Sequence, residues 1–248
     1  GKFNFLKTGL QFADAITTVS RRYAEEISTS DEYGSGLTGL LAKRKKDLHG
    51  ILNGIDYHAW NPATDDLIYR KYDSKSLDAK ADNKRALVGR FKLPYKDGAP
   101  VIGAISRLVE QKGFDLVLEI LDELMKMDIQ FVLLGDGDKS SEKQFDALQK
   151  KYPKQIGVFF GFDKELAHLI EAGSDIFIMP SRYEPCGLNQ MYSMRYGTIP
   201  VVRATGGLDD TVEDYSGNGK GTGFKFDKFD AKELLKAIQR ALKVFHQP

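Results

Sequence analysis

Between residues 100 and 203 short apolar runs alternate with stretches of helical periodicity, and few architectures accept that pattern. The runs are Val101–Ile105, Phe131–Leu134, Gly157–Phe160, Ile176–Met179 and Ile199–Val202, all rich in Val, Ile and Phe. Between them lie "FDLVLEILDELMKM", "EKQFDALQKKY", "KELAHLIEAG" and "GLNQMYSMRYG". A strand that is apolar on both faces must be covered on both faces. Strands of that kind separated by amphipathic helices therefore predict a parallel sheet between two helical layers. The fold class is α/β: a Rossmann-like, doubly wound parallel sheet. A last helix, "DAKELLKAIQRALKVF", starts at an N-cap at Asp230.

The first fifty residues read differently. "FADAITTVS" predicts a strand, "RRYAEEIS" a helix, and "DEYGSGLTGLLAKRKKD" a glycine-punctuated loop region. "GILNGIDYHAWNP" predicts a strand, a tight Asn53-Gly54 turn and a departing polar segment. Residues 62–96 are polar and helix-prone, leading into the sheet. Two pieces are expected: the end of one domain over residues 1–54, then a nearly complete Rossmann-like domain over 55–248. The start on Gly and the stop on "FHQP" suggest a fragment of something longer.

Composition narrows the function. A formal net charge of +1 disfavours a nucleic-acid partner that needs a broad basic face. The basic cluster Lys43-Arg44-Lys45-Lys46 reads as a solvated surface turn. A lone cysteine rules out an internal disulfide framework and suits a reducing compartment. No apolar run is long enough to span a bilayer, and "GKFNFLKTG" lacks a signal-peptide core.

In an open parallel sheet, ligands bind beyond the carboxyl ends of the strands. Five segments meet there: "SRLVEQKG" with Arg107 and Lys112, "GDGD", "GFDK", "PSRYEPCGL" and "RATGGLDDT". Thr205-Gly206-Gly207 offers unhindered N–H groups at a helix start, which suits a phosphate. Arg107 and Lys112 can neutralise a diphosphate without a metal. His49, His58, His168 and His246 are scattered, and the carboxylates show no convincing ligand spacing. "GDGD" is not a dinucleotide fingerprint, so an NAD site is disfavoured.

Each feature has an ordinary reading. A Gly-Gly turn is commonly chain geometry, an Arg and a Lys near a strand end surface charge, and a single cysteine a small buried hydrophobe. Glu184 before a proline can simply favour the following helix dipole. Their convergence on one rim outweighs these readings. Cys186, at a helix start, is expected to ionise more readily than a free thiol.

"SRLVEQKG", "GILNGIDYHAWNP" and "PSRYEPCGLNQMYSMRYGTIPVVRATGGLDDTV" resemble the bacterial glycogen synthase and plant starch synthase family, over nearly the whole chain. These are retaining glucosyltransferases of the GT-B fold, with two Rossmann-like domains and the active site in the cleft between them. The resemblance implies that residues 1–54 end the N-terminal domain and that 55–248 form most of the C-terminal, nucleotide-sugar domain. It implies glucose transfer from ADP-glucose, or from UDP-glucose in some members, to the 4-OH at the non-reducing end of an α-1,4-glucan. It further implies no metal, no membrane or nucleic-acid partner, and a cytoplasmic site, or a plastid in a plant or alga.

Carried over by position, Arg107 and Lys112 match the pair that stabilises the departing diphosphate, and Glu184 the essential carboxylate beside the glucose. Cys186 and Gly187 match the sugar pocket, Asn53 an asparagine reaching the donor sugar from the hinge, and Thr205, Gly206 and Gly207 the phosphate loop. Phe162 falls where an aromatic ring stacks on adenine. Many retaining GT-B enzymes carry a second glutamate eight positions after the first. Here that position is Tyr192, which points to the glycogen and starch synthase branch and is expected among the donor-binding residues. The family's glycine-rich lysine loop and donor-facing histidine are expected upstream of Gly1, and its returning terminal helix beyond Pro248. Other readings remain: a non-catalytic nucleotide-sugar or glucan-binding module, another retaining GT-B transferase, or, distantly, a dehydrogenase.

Overall fold

The structure, a computed structural model, describes residues 4–217 and 219–247. The first unit is small. Helix α1 (Phe5–Phe12) is capped by Asn4, whose side chain accepts from the Lys7 N–H. Strand β1 (Ile16–Thr18), helix α2 (Arg21–Thr29), the short helices α3 (Asp31–Gly34) and α4 (Thr38–Lys43), and strand β2 (Leu48–Gly50) follow. β1 and β2 pair in parallel. The expected loop over 31–47 is thus mostly helical: Gly34 ends α3, Gly39 is accommodated inside α4, and Leu41 is buried on α4. The basic cluster is a solvated surface turn at Lys43, Lys45 and Lys46, and Arg44 alone turns inward. Arg44 reaches back to the carbonyls of Leu10, Gln11 and Ala13 and closes the end of α1.

No strand continues past Gly50, and no turn forms at Asn53-Gly54. Within 62–96 the long helix is α5 (Lys80–Arg90), preceded by a single 3-10 turn, Leu77–Ala79. The stretch between is tied down by aromatic and buried polar contacts. The Trp60 ring lies flat between His168 and Tyr192, 3.9 Å from each. Asp65 accepts from the Tyr196 hydroxyl at 2.5 Å and lies 2.7 Å from His168 Nδ1. These hydrogen bonds, despite burial, hold its carboxyl below the usual range.

The second unit continues with β3 (Val101–Leu108), α6 (Phe114–Leu124), β4 (Gln130–Gly137), α7 (Lys139–Lys151), β5 (Ile156–Phe160) and α8 (Lys164–Gly173). It ends with β6 (Ile176–Met179), α9 (Asn189–Arg195), β7 (Ile199–Arg203), α10 (Gly206–Thr211), β8 (Phe224–Phe226) and α11 (Ala231–Phe245). The strand order is β5-β4-β3-β6-β7-β8, every pairing parallel. One face buries Phe131, Phe145, Leu121 and Ile238 beneath α6, α7 and α11; the other buries Leu87, Val101, Val132 and Ile170 beneath α5 and α8. Asp230 caps α11 as the sequence suggests, its side chain accepting from the Lys232 and Glu233 N–H groups. β8 escapes the sequence pattern because "FKF" is too short to register as a run. β3 and β4 outrun their apolar segments because the ladder continues through Arg107 opposite Asp136.

The strand order reverses between β3 and β6. Crossovers leave in opposite directions there, so the loops after these strands part and leave a crevice.

Candidate active site

A cleft of about 480 Å³ opens at this point, lined from β3 by Arg107, from β4 by Asp136, and from the loop after β6 by Ser181, Glu184 and Gly187. Lys112 enters from the 3-10 turn Glu110–Lys112, and Phe162 stands at the mouth, 91% exposed. Arg107 belongs to β3 itself rather than to the loop after it. Its guanidinium has no hydrogen-bond or ion-pair partner among the described residues and faces solvent.

Glu184 is the pivot. Only 6% of it is exposed. Its Oε2 accepts from Lys112 Nζ at 2.6 Å and from Ser181 Oγ at 2.9 Å. A carboxylate this dry must be paired, and here one cation and one hydroxyl share a single oxygen. The turn beneath it is fixed from several sides. The Arg182 N–H donates to the Gln111 carbonyl at 2.8 Å, Gln111 Nε2 to the Tyr183 carbonyl at 3.2 Å, and the Gly207 N–H to the Glu184 carbonyl at 3.0 Å. Gly187 completes the turn at φ +69°, a left-handed conformation open to glycine, with Gln190 against it.

Three expectations fail at the expected phosphate loop. Thr205, Gly206 and Gly207 are buried, and their donors are already engaged. Thr205 Oγ1 and the Gly206 N–H both bind the Glu26 carboxylate of α2, and the Gly207 N–H binds Glu184. The Gly-Gly pair serves close packing: a Cβ on Gly206 would lie 1.9 Å from the Glu184 carbonyl oxygen, and one on Gly207 2.0 Å from that of Cys186.

Cys186 also departs from expectation. It is buried rather than lining the cleft, and burial pushes its thiol pKa up, with the Glu184 charge adding to the rise. Hydrogen bonds from Asn53 offset part of this. Asn53 therefore reaches the Glu184 turn through Cys186, not the cleft directly. Tyr192 lies outside the cleft lining, because its ring is spent on Trp60.

Sequence reasoning missed Ser181, Asp136 and Glu26. Ser181 sits three residues before Glu184, a spacing that lets a turn bring hydroxyl and carboxylate together. Behind the cleft wall, Glu171 of α8 is fully buried, with Ser193 Oγ of α9 donating to its Oε2 at 2.7 Å. Burial raises this carboxyl to about 8. Lys80, partly buried, turns its ammonium inward to donate to the Ala172 carbonyl and Thr198 Oγ1, and desolvation there lowers it to about 7. Among the described residues no three of His, Cys, Asp or Glu gather as a metal would require. No helix among them is long and apolar enough to cross a membrane.

Fold and site together define a doubly wound α/β domain with a cleft of charged side chains at the carboxyl edge of its sheet. The family model described as "Glycosyl transferases group 1" matches residues 88–244, and that for "Starch synthase catalytic domain" matches residues 1–43. The chain belongs to the group 1 glycosyl transferases. It is 54% identical over 247 residues to a glycogen synthase of Thermotoga petrophila, spanning 99% of this chain and 51% of that protein. It is 52% identical over 246 residues to one of Koribacter versatilis, spanning 99% of this chain and 50% of that protein. Among solved structures it resembles the catalytic domain of starch synthase IV from Arabidopsis thaliana bound to ADP and acarbose. The TM-score is 0.91 at 37% identity, over 98% of this chain and 51% of that one. The chain thus has the GT-B architecture and spans about half the length of the relatives it matches.

Proposed function

We propose that this chain supplies the donor-binding half of a retaining glucan synthase. Such an enzyme moves glucose from ADP-glucose, with UDP-glucose the alternative donor, to the non-reducing end of an α-1,4-glucan. In this reading residues 1–54 close the N-terminal domain, 55–248 carry the nucleotide sugar, and the protein works without a metal in the cytoplasm, or in a plastid if plant-derived. The observation that carries the proposal is Arg107, Lys112 and Glu184 meeting in one cleft at the switch point. The glycogen synthase names of its relatives and the ADP and acarbose of the starch synthase structure support it.

The chemistry follows from the placement of charge. When the bond between C1 and the diphosphate breaks, negative charge grows on the leaving group and positive charge on the glucosyl ring. Arg107, exposed and unpaired, meets the diphosphate. Lys112, already 2.6 Å from Glu184, sits between the two developing charges. Glu184 faces the ring that becomes cationic and accepts hydrogen bonds from its hydroxyls. Phe162 offers a ring to the adenine, and Gly187 lets the backbone come close to the sugar.

Transfer of radiolabelled glucose to glycogen by the protein that carries this chain tests the proposal, with ADP-glucose and UDP-glucose compared and EDTA present. Transfer that prefers one donor and survives EDTA is expected. Tight nucleotide-sugar binding without transfer would instead make the chain a binding module.

A further inference from the structure

Helices α2 and α10 cap each other across the two units. Glu26, on the second turn of α2 and 7% exposed, sends its carboxylate to the start of α10. Its oxygens accept from Thr205 Oγ1 at 3.1 and 3.2 Å and from the Gly206 N–H at 3.2 Å. In return Asp210 Oδ2 accepts from the N–H groups of Arg21 and Arg22, the first residues of α2, at 2.6 and 3.1 Å.

The two caps are not equivalent. Asp210 holds only α2, from the exposed side. Glu26 holds the residue next to Gly207, whose N–H fixes the Glu184 carbonyl, and the Gly206–Gly207 backbone lies flush against residues 184–186. No side chain lies between to absorb a shift. A displacement of Glu26 therefore passes to the Glu184 turn backbone to backbone. Glu26 itself cannot relax cheaply, since its one ion-pair partner among the described residues is the half-exposed Arg22 at 3.3 Å.

We propose that Glu26 is a positioning residue: through the first turn of α10 it sets the backbone that carries Glu184, so the placement of α2 is registered at the cleft. The inference rests on the reading of Glu184 as the carboxylate facing the transferred sugar. Nothing in the sequence alone marks Glu26, which looks like one more charge on an amphipathic helix.

The test compares Glu26→Gln, Glu26→Ala and Asp210→Asn in the protein that carries this chain. Two quantities are read: kcat with donor KM, and the alkylation rate of Cys186, followed by mass spectrometry of its peptide. Glu26→Gln is expected to lower kcat about tenfold or more with donor KM nearly unchanged, because misalignment acts on the transition state. Cys186 labelling should rise at least about fivefold as the turn loosens. Glu26→Ala should exceed Glu26→Gln in both, since Gln keeps one acceptor. Asp210→Asn, which keeps a cap acceptor, should stay within about twofold of the parent in both. Parental kcat and parental Cys186 protection in Glu26→Gln would overturn the proposal. So would equal effects from Asp210→Asn, which would reduce both carboxylates to docking contacts. If the parent transfers no glucose, the functional reading fails, and the Cys186 rates still decide whether Glu26 governs the turn.

Discussion

Adding one methyl group at Gly207 probes the site with the least ambiguity. Its backbone is ordinary right-handed helix, so alanine is allowed by conformation and the cost is purely steric. The new Cβ would stand 2.0 Å from the Cys186 carbonyl oxygen and 2.4 Å from Cys186 Cα. Relief to an ordinary contact needs a separation of about 1 Å or more between α10 and the turn, and neither side can yield by a rotamer change. The separation stretches the 3.0 Å Gly207–Glu184 hydrogen bond past usefulness. Overpacking and one lost buried hydrogen bond together cost about 2–4 kcal/mol. In a chain of this size that lowers Tm by roughly 5–15 °C. Urea and thermal unfolding followed by circular dichroism measure it. Gly89, inside α5 with nothing near its missing Cβ, is the control. Gly89→Ala should stabilise by about 0.5–1 kcal/mol. A Gly207→Ala protein that melts with the parent would refute the close-packing account of the Gly206-Gly207 pair.

Arg107→Ala and Lys112→Ala should each lower kcat by about a hundredfold or more, the loss of one fixed cation at a departing diphosphate; near-parental turnover in steady-state assays would remove that role. Arg107→Lys should recover only part, because the planar fork is lost. Glu184→Gln should lose most turnover while its far-ultraviolet spectrum stays parental; undiminished transfer would take Glu184 out of the mechanism. Glu171 has a folded pKa near 8, above its unfolded value, so it favours the fold fully at low pH and this contribution fades as pH rises from about 4.5 to 8. Glu171→Gln should therefore gain stability over the parent across that window and no further above it; urea unfolding at pH 5, 7 and 8.5 reads the difference. Cys186, its thiol raised by burial, should react far more slowly at pH 7 than a free thiol does, and a fast reaction would contradict the burial.

The sheet was legible because its strands are buried on both faces and announce themselves as unbroken apolar runs. Where burial is one-sided or brief, as in "FKF" at β8 or the short helices over 31–47, the pattern thins and the reading failed. The cleft was legible wherever loop chemistry follows a strand end directly, as at Lys112 and Glu184. It was misread at Thr205–Gly207, because a glycine pair that admits a ligand and one that admits a neighbouring backbone look alike in sequence. The difference lies in Glu26, 180 residues away in the chain from Gly206, and no local pattern connects them. Tyr192 misled for the same reason: its partner, Trp60, comes from a segment without regular structure.

Trp60 is the chain's one tryptophan, and its place between the His168 and Tyr192 rings has an optical consequence. The emission of an indole depends on what lies against its faces, so Trp60 senses how these three rings are packed. Tyr192 rides on α9, whose first residue, Asn189, lines the cleft. Any ligand that shifts α9 changes the overlap of the stacked rings and so the brightness. Trp60 emission should therefore follow movement of the cleft wall without an added label.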